Sequence, residues 1–261
     1  NGLESWQAIV SEKMPHLSKP QPVVLALWSF GMVMTQSCGL TTVASFIAGL
    51  QEKKENSVRQ RLREWYMGAD EKKGEERAEI DVNLCFSRLV FWVLSWWSSA
   101  EKRLAIAMDA TSLGERLVVL VISIVCCGCA VPVAWVVVKA AEKGKWQPEW
   151  EGLFRQLQKT VPPDWLVIVL ADRGLYADWL FRLIVDMHWH PFLRINKGGT
   201  FCKAGSSQFL PLTALLPATN HAWSGKGRCF KSNPLPCTLL ACWNEEHTDP
   251  WLVVTDLEPN Q

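Results

Sequence analysis

At 261 residues, 49% hydrophobic and 20% charged, the chain can bury a large core and has the length for on the order of one to three domains; that composition excludes an intrinsically disordered protein. A formal net charge of +1 leaves the field of the whole molecule weak, so nucleic-acid binding would have to rest on a local concentration of Lys and Arg. Nine irregularly spaced cysteines and the lack of an opening signal peptide argue against a disulfide framework and for a reducing compartment, the cytoplasm.

The pattern from residue 22 to about residue 100 is helical. A run of Val, Leu, Trp, Phe and Met from Pro22 to about Ser37 follows a proline suited to a first helical turn, with Cys38-Gly39 as its stop. Thr41 or Thr42 can cap a second short helix to Leu50, and Asn56 or Ser57 a third through Trp65. In the third helix Val58, Leu62 and Trp65 form an inward stripe, while Arg59 and Arg63 share an outward face and Arg61 lies to one side. The arrangement resembles a helix-turn-helix reader of DNA; a solvated surface helix would have the same spacing. Asp70 to Glu79 is a charged link, and Ile80 to Ser98 is another strongly apolar helix. Most of the 15 Trp, Trp92, Trp96 and Trp97 among them, read as core.

Beyond this the pattern turns to strands. Leu104 to Asp109 is a short apolar strand ending in an acid, followed by strands at Arg116 to Val125 and Val131 to Lys139. Leu117 to Val138 carries no charge over 22 positions, long enough to span a bilayer. Its Val and Ile content, the break at Cys126-Cys127-Gly128-Cys129 and Pro132 fit two buried strands and a turn better. An amphipathic helix at Trp150 to Leu157, a strand from Trp165 to Ala171 ending in Asp172, a helical stretch from Leu175 to Met187 and a strand at Pro191 to Ile195 follow. Three strands in a meander and then alternating helix and strand predict an α/β fold: an RNase H-like mixed sheet flanked by helices, preceded by an all-helical N-terminal region. Residues 199–250, rich in Gly, Ser and Pro, predict a β-rich insertion, with a return strand at Trp251 to Leu257. The expected domains are therefore 1–100, 101–198, 199–250 and 251–261, the last read as cut short.

An aspartate after a buried strand commonly just caps the next turn. Two such acids, Asp109 and Asp172, lie 63 residues apart, and adjacent strands would bring them together. Their mutual repulsion is relieved by a divalent cation, and hard oxygen ligands at an open site suit Mg²⁺ or Mn²⁺. Two such ions can activate a water or a 3′-hydroxyl and stabilise the leaving oxygen of a phosphodiester, which makes phosphoryl transfer on nucleic acid the expected chemistry. Arg173 and Arg194, next to these acids, can hold phosphates or simply pair with the aspartates. Thr111 caps a turn or touches a metal-bound water. Lys143, Lys145 and Trp146 form a phosphate-holding loop or a solvated turn. Cys126 with Cys129, Cys229, Cys237 and Cys242 with His221 or His247, and His188 with His190 have the spacing of weak metal sites; structural thiols and ordinary histidines are the simpler readings.

Met108-Asp109-Ala110-Thr111, Leu170-Ala171-Asp172-Arg173-Gly174-Leu175-Tyr176, Phe192-Leu193-Arg194-Ile195 and Trp251-Leu252-Val253-Val254-Thr255-Asp256-Leu257, in that order, resemble the IS4-type DDE transposases of insertion sequences. The resemblance covers roughly Leu104 to Leu257. It implies two aspartates, matched by Asp109 and Asp172, and a glutamate that together bind two Mg²⁺ or Mn²⁺ ions. It implies binding of double-stranded DNA at terminal inverted repeats, cleavage there, joining to target DNA, a homodimer on DNA, and a bacterial cytoplasm with the nucleoid as workplace. The glutamate belongs on a helix after the last strand, beyond Gln261; Glu258, Glu245 and Glu246 do not match it. Two other readings stand beside this one: an inactive, DNA-binding remnant of such an enzyme, and a membrane protein spanning at 23–37, 80–98 and 117–138.

Overall fold

The computed structural model describes residues 2–72, 78–98, 100–215 and 219–259, without the side chains of Lys143 and Lys145. The predicted roles of those two lysines, part of the 70–79 link and Ser99 thus lie outside the described residues. The chain divides into two compact units, 1–92 and 93–261.

The first unit is helical: α1 (Gly2–Lys13), α2 (Pro20–Thr35), α3 (Leu40–Gln51), α4 (Glu55–Trp65) and α5 (Val82–Leu94), whose last residues belong to the second unit. Pro20 and Pro22 occupy the first turn of α2, where a missing N–H costs nothing, and left-handed Gln36 ends the helix, its N–H donating to the Met32 carbonyl. The predicted threonine caps are not used. Thr41 and Thr42 lie inside α3, whose cap is Gly39, and Asn56 and Ser57 lie inside α4 after Lys54. Val58 and Leu62 are buried with Leu27, Val43 and Ile47 in one cluster, and Trp65 is packed against it. Its indole N–H donates to the Gln21 carbonyl at 3.0 Å. A fully buried leucine such as Leu62 stabilises the unit by about 1.5–3 kcal/mol. Gly31 lets α2 and α3 approach closely, for a Cβ there would stand 2.6 Å from Val43 Cγ1.

The second unit is built on a ten-stranded sheet among the described residues. Strands β1 (Arg103–Leu113), β2 (Leu117–Cys126) and β3 (Cys129–Lys139) form an antiparallel meander. Helix α6 (Gln147–Gln158) packs against β3 and leads to β4 (Leu166–Ala171), which lies parallel to β1; α7 (Asp178–Asp186) packs on β5 (His190–Arg194), parallel to β4. The order β3-β2-β1-β4-β5 with these directions is that of an RNase H-like mixed sheet flanked by helices, as the sequence predicts. Residues 199–250 contribute β6 (Thr200–Lys203), β7 (Leu210–Pro211), β8 (His221–Cys229) and β9 (Leu235–Trp243). Strand β10 (Trp251–Thr255) joins β9 to β5, so the sheet is continuous in the order β5-β10-β9-β8-β6-β7.

The core lies under one face of the first five strands. Leu104, Ile106, Leu120, Ile122, Val167 and Val169 from the strands are fully or nearly fully buried, as are Trp150, Phe154, Leu180 and Ile184 from α6 and α7. Along β4 and the first half of β1 residues alternate between this face and a less covered one, the period of two expected of pleated backbone.

The charge-free stretch at 117–138 is the β2–β3 hairpin, which overturns its reading as a membrane helix. Cys127 and Gly128, with φ of 50° and 78°, make a two-residue turn with both centres left-handed, matching the twist of the flanking strands. Pro132 pairs with Ser123 just before a register shift that leaves Val133 as an extra residue on β3, and Val133 and Ala134 are both buried. The β3 strand is an outer strand of the sheet, where proline is tolerated. Among the described residues no single helix is long and apolar enough to cross a membrane, and α2 and α3, which together have the length, are bent by 100° at their junction.

Candidate active site

The C-terminal ends of parallel strands are where an open α/β sheet places its chemistry. Here the pairing of β1 with β4 runs to Met108 opposite Ala171. The next residue on each strand is an aspartate, so Asp109 and Asp172 stand side by side, about one strand spacing (~4.8 Å) apart along the backbone. Both line a cleft of about 550 Å³ whose other walls include Trp146, Gln147, Trp150, Tyr176 and Trp179. The turn after β4 is made by backbone: Leu175 N–H donates to the Asp172 carbonyl at 2.9 Å, and the Asp172 side chain makes no capping bond. Its carboxylate is 72% exposed. Asp109 accepts a hydrogen bond of 2.5 Å from the Thr111 hydroxyl, so Thr111 orients the acid instead of closing a turn.

The two arginines next to these acids have separate partners. Arg194, at the end of β5, has Nη1 3.7 Å from Asp172 Oδ1 and its guanidinium 4.1 Å from the centre of the Trp251 ring. Stacking holds the planar group in place at modest entropic cost. Its buried Nε has no hydrogen-bond partner. Arg173 pairs with a third acid: its Nη1 donates to Asp249 Oδ2 at 3.3 Å, while Lys197 Nζ donates to Asp249 Oδ1 at 2.9 Å. The bonds from Lys197 and then Arg173 hold the Asp249 carboxyl below the usual carboxylate range. Arg59 and Arg63 belong to the helical unit, on the exposed face of α4, with Arg61 half-buried beside them.

Tyr176 forms part of the cleft wall and stacks on Phe230 at 4.5 Å. Burial, and then the neighbouring thiols Cys229 and Cys237, push its phenol above the usual range, so it remains a neutral hydroxyl. Among the described residues no three His, Cys, Asp or Glu side chains are gathered to hold a metal ion. All nine cysteines are free thiols. His190 pairs with Asp256 at 3.1 Å, and His188 ends α7 in a left-handed conformation. Glu258 accepts from Lys226 and Glu245 from Asn220. The two aspartates remain a donor set for a hard cation, since Mg²⁺ commonly takes one or two carboxylates and completes its shell with water and substrate phosphate. Asp249, Lys197 and Trp251 escaped sequence reasoning as site neighbours; the only signal was their nearness to β5 and β10.

No protein family is matched by the chain, and no curated protein matches it. The arrangement defines an RNase H-like core with a two-carboxylate cleft. Among solved structures, the chain is similar to a piggyBac transposase synaptic complex with hairpin DNA, at 12% identity and a TM-score of 0.40 over 97% of this chain. It is also similar to the Mos1 strand transfer complex, at 15% identity and a TM-score of 0.24, covering 64% of this chain and 56% of that one. For the mariner Mos1 paired-end complex with Mg the values are 15% and 0.23, covering 64% and 57%. The chain spans 57% of the length of the piggyBac chain.

Proposed function

We propose that this chain is the DNA-binding and catalytic part of an IS4-type DDE transposase, cutting the ends of a mobile element and joining them to target DNA. The observation that carries the reading is the pair Asp109 and Asp172, each the residue after the last β1–β4 pair, both lining one cleft and neither used for capping. The ordered motifs around them, from Met108 to Leu257, supply the family.

In this reading the two carboxylates hold Mg²⁺ or Mn²⁺, which supplies Lewis-acid activation of a nucleophilic oxygen and neutralisation of the leaving one. Thr111 keeps the Asp109 carboxylate turned toward the cleft. Arg194, fixed against Trp251, presents a guanidinium next to Asp172 for a phosphate beside the scissile bond. Arg59 and Arg63 on α4 contact the backbone or base edges of the element's ends. The enzyme acts in the bacterial cytoplasm as a homodimer on DNA.

The test uses the full-length protein, with Mg²⁺ and a duplex carrying the element's own ends. Asp109→Asn and Asp172→Asn are each expected to abolish nicking while leaving end binding within a few-fold of the original. Nicking at the normal rate by either variant would refute the assignment. The same assay on the 261-residue chain separates a chain that cuts from a remnant that only binds.

A further inference from the structure

Arg173 and Lys197 come from different strand ends, after β4 and after β5, yet they converge on one carboxylate. Asp249 gives one oxygen to each: Oδ2 to Arg173 Nη1 at 3.3 Å and Oδ1 to Lys197 Nζ at 2.9 Å. Two cations against one anion leave a positive excess. The anion they enclose is a planar group with two oxygens, the same pattern that the two non-bridging oxygens of a phosphodiester present to an Arg–Lys pair. The cluster is open to a large ligand, with side chains 29%, 63% and 32% exposed for Arg173, Lys197 and Asp249. Its place beside the cleft follows from the chain itself. Arg173 is the residue after Asp172, and Asp249 lies two residues before Trp251, on which Arg194 is stacked.

We infer that Arg173 and Lys197 form a binding site for a DNA backbone phosphate, and that Asp249 fills this site as an internal stand-in which DNA must displace. The inference rests on the DNA-processing reading above and adds a site and a restraint to it. An exposed ion pair is weak and screened by salt, so a polyanion that brings many phosphates at once can replace it. Its cost appears as reduced affinity, and its release as one additional counterion-releasing contact for each cation freed.

The experiment measures binding of a short fluorescent duplex of arbitrary sequence to the full chain over a range of salt. Asp249→Asn is expected to tighten binding roughly tenfold at low salt and to steepen the salt slope by about 0.9 for each cation released. Adding Arg173→Ala and Lys197→Ala to Asp249→Asn should erase the gain. Asp164→Asn is the control for bulk charge: it frees Lys102 in a similar exposed pair at the opposite end of β4, and should give no comparable gain. Thermal unfolding of each variant checks that the fold is kept. Unchanged or weaker binding by a folded Asp249→Asn overturns the inference while the DNA reading stands. An equal gain from Asp164→Asn overturns it too. If neither the original chain nor Asp249→Asn retains the duplex at low salt, the inference and the reading fall together.

Discussion

A methyl group has no room at Gly227, where a Cβ would stand 2.2 Å from the Cys202 carbonyl oxygen and 2.4 Å from Phe201 Cζ. The oxygen is backbone and cannot rotate aside. Gly227→Ala should therefore cost about 1–3 kcal/mol in urea unfolding, prising β8 from β6. Gly174, one residue beyond Arg173, has nothing within 4 Å of a Cβ and no left-handed φ. Gly174→Ala is expected to stay within about 0.5 kcal/mol, so under the proposed function a loss of DNA cleavage there would report on substrate contact and not on folding. His16 gives the residue scale a pH dependence. Burial and, secondarily, Arg88 hold its imidazole below the ordinary range against the opposing pull of Asp81, while Nε2 lies 3.3 Å from Cys85 Sγ. With the folded value depressed, the unfolded chain takes up the proton first. The stability linked to His16 is thus complete above about pH 6.5 and is lost as the pH falls from there toward the folded value. The thermal midpoint should drop between neutral pH and pH 5, and His16→Gln should remove that part of the slope.

At the scale of elements, legibility followed periodicity. The α4 stripe of Val58 and Leu62 was readable because buried positions on a helix recur every three or four residues. Leu62→Ala should cost about 2–5 kcal/mol. Strands β1 and β4 were readable as apolar runs, but β1 does not end at its acid: pairing with β2 carries it on to Leu113, and Asp109 and Asp172 each follow the last β1–β4 pair. The caps were not readable. Many residues near a helix start can cap, and here Gly39 and Lys54, both in extended backbone, hold the cap positions with no side-chain hydrogen bond. Helix α1 has only Leu3 and Val10 buried, too thin a pattern to distinguish from a loop. The partner of Arg173 was equally hidden: it lies 76 residues along the chain, and charge pairs have no sequence period. The hairpin turn yields its own prediction. Gly128 at φ 78° replaced by Val should cost about 1–2 kcal/mol, in a β-branched residue forced left-handed.

For the molecule as a whole, a net charge of +1 means that the proposed DNA affinity would have to be assembled from separate local groups. Arg59 and Arg63 belong to one unit, Arg173, Arg194 and Lys197 to the other. Groups that share no partners contribute independently. Arg59→Ala with Arg63→Ala should flatten the salt slope of duplex binding by up to about 1.8, whether or not Asp249 has been changed; unchanged affinity would return α4 to a solvated helix.

The proline in β3 has a bearing on how copies of the chain behave toward each other. The β2–β3 hairpin carries no charge from Leu117 to Val138, is rich in Val and Ile, and its outer strand borders the sheet, the profile of a strand that recruits another strand. Pro132 offers no N–H to an incoming backbone, and the extra residue at Val133 bends the border out of line. Pro132→Val would restore a donor to this border. It is expected to leave the folded unit intact yet promote self-association at concentrations where the native chain stays dispersed, as light scattering would show. The residue that makes this segment unfit as a simple strand is what allows so apolar a strand to lie at the margin of the sheet.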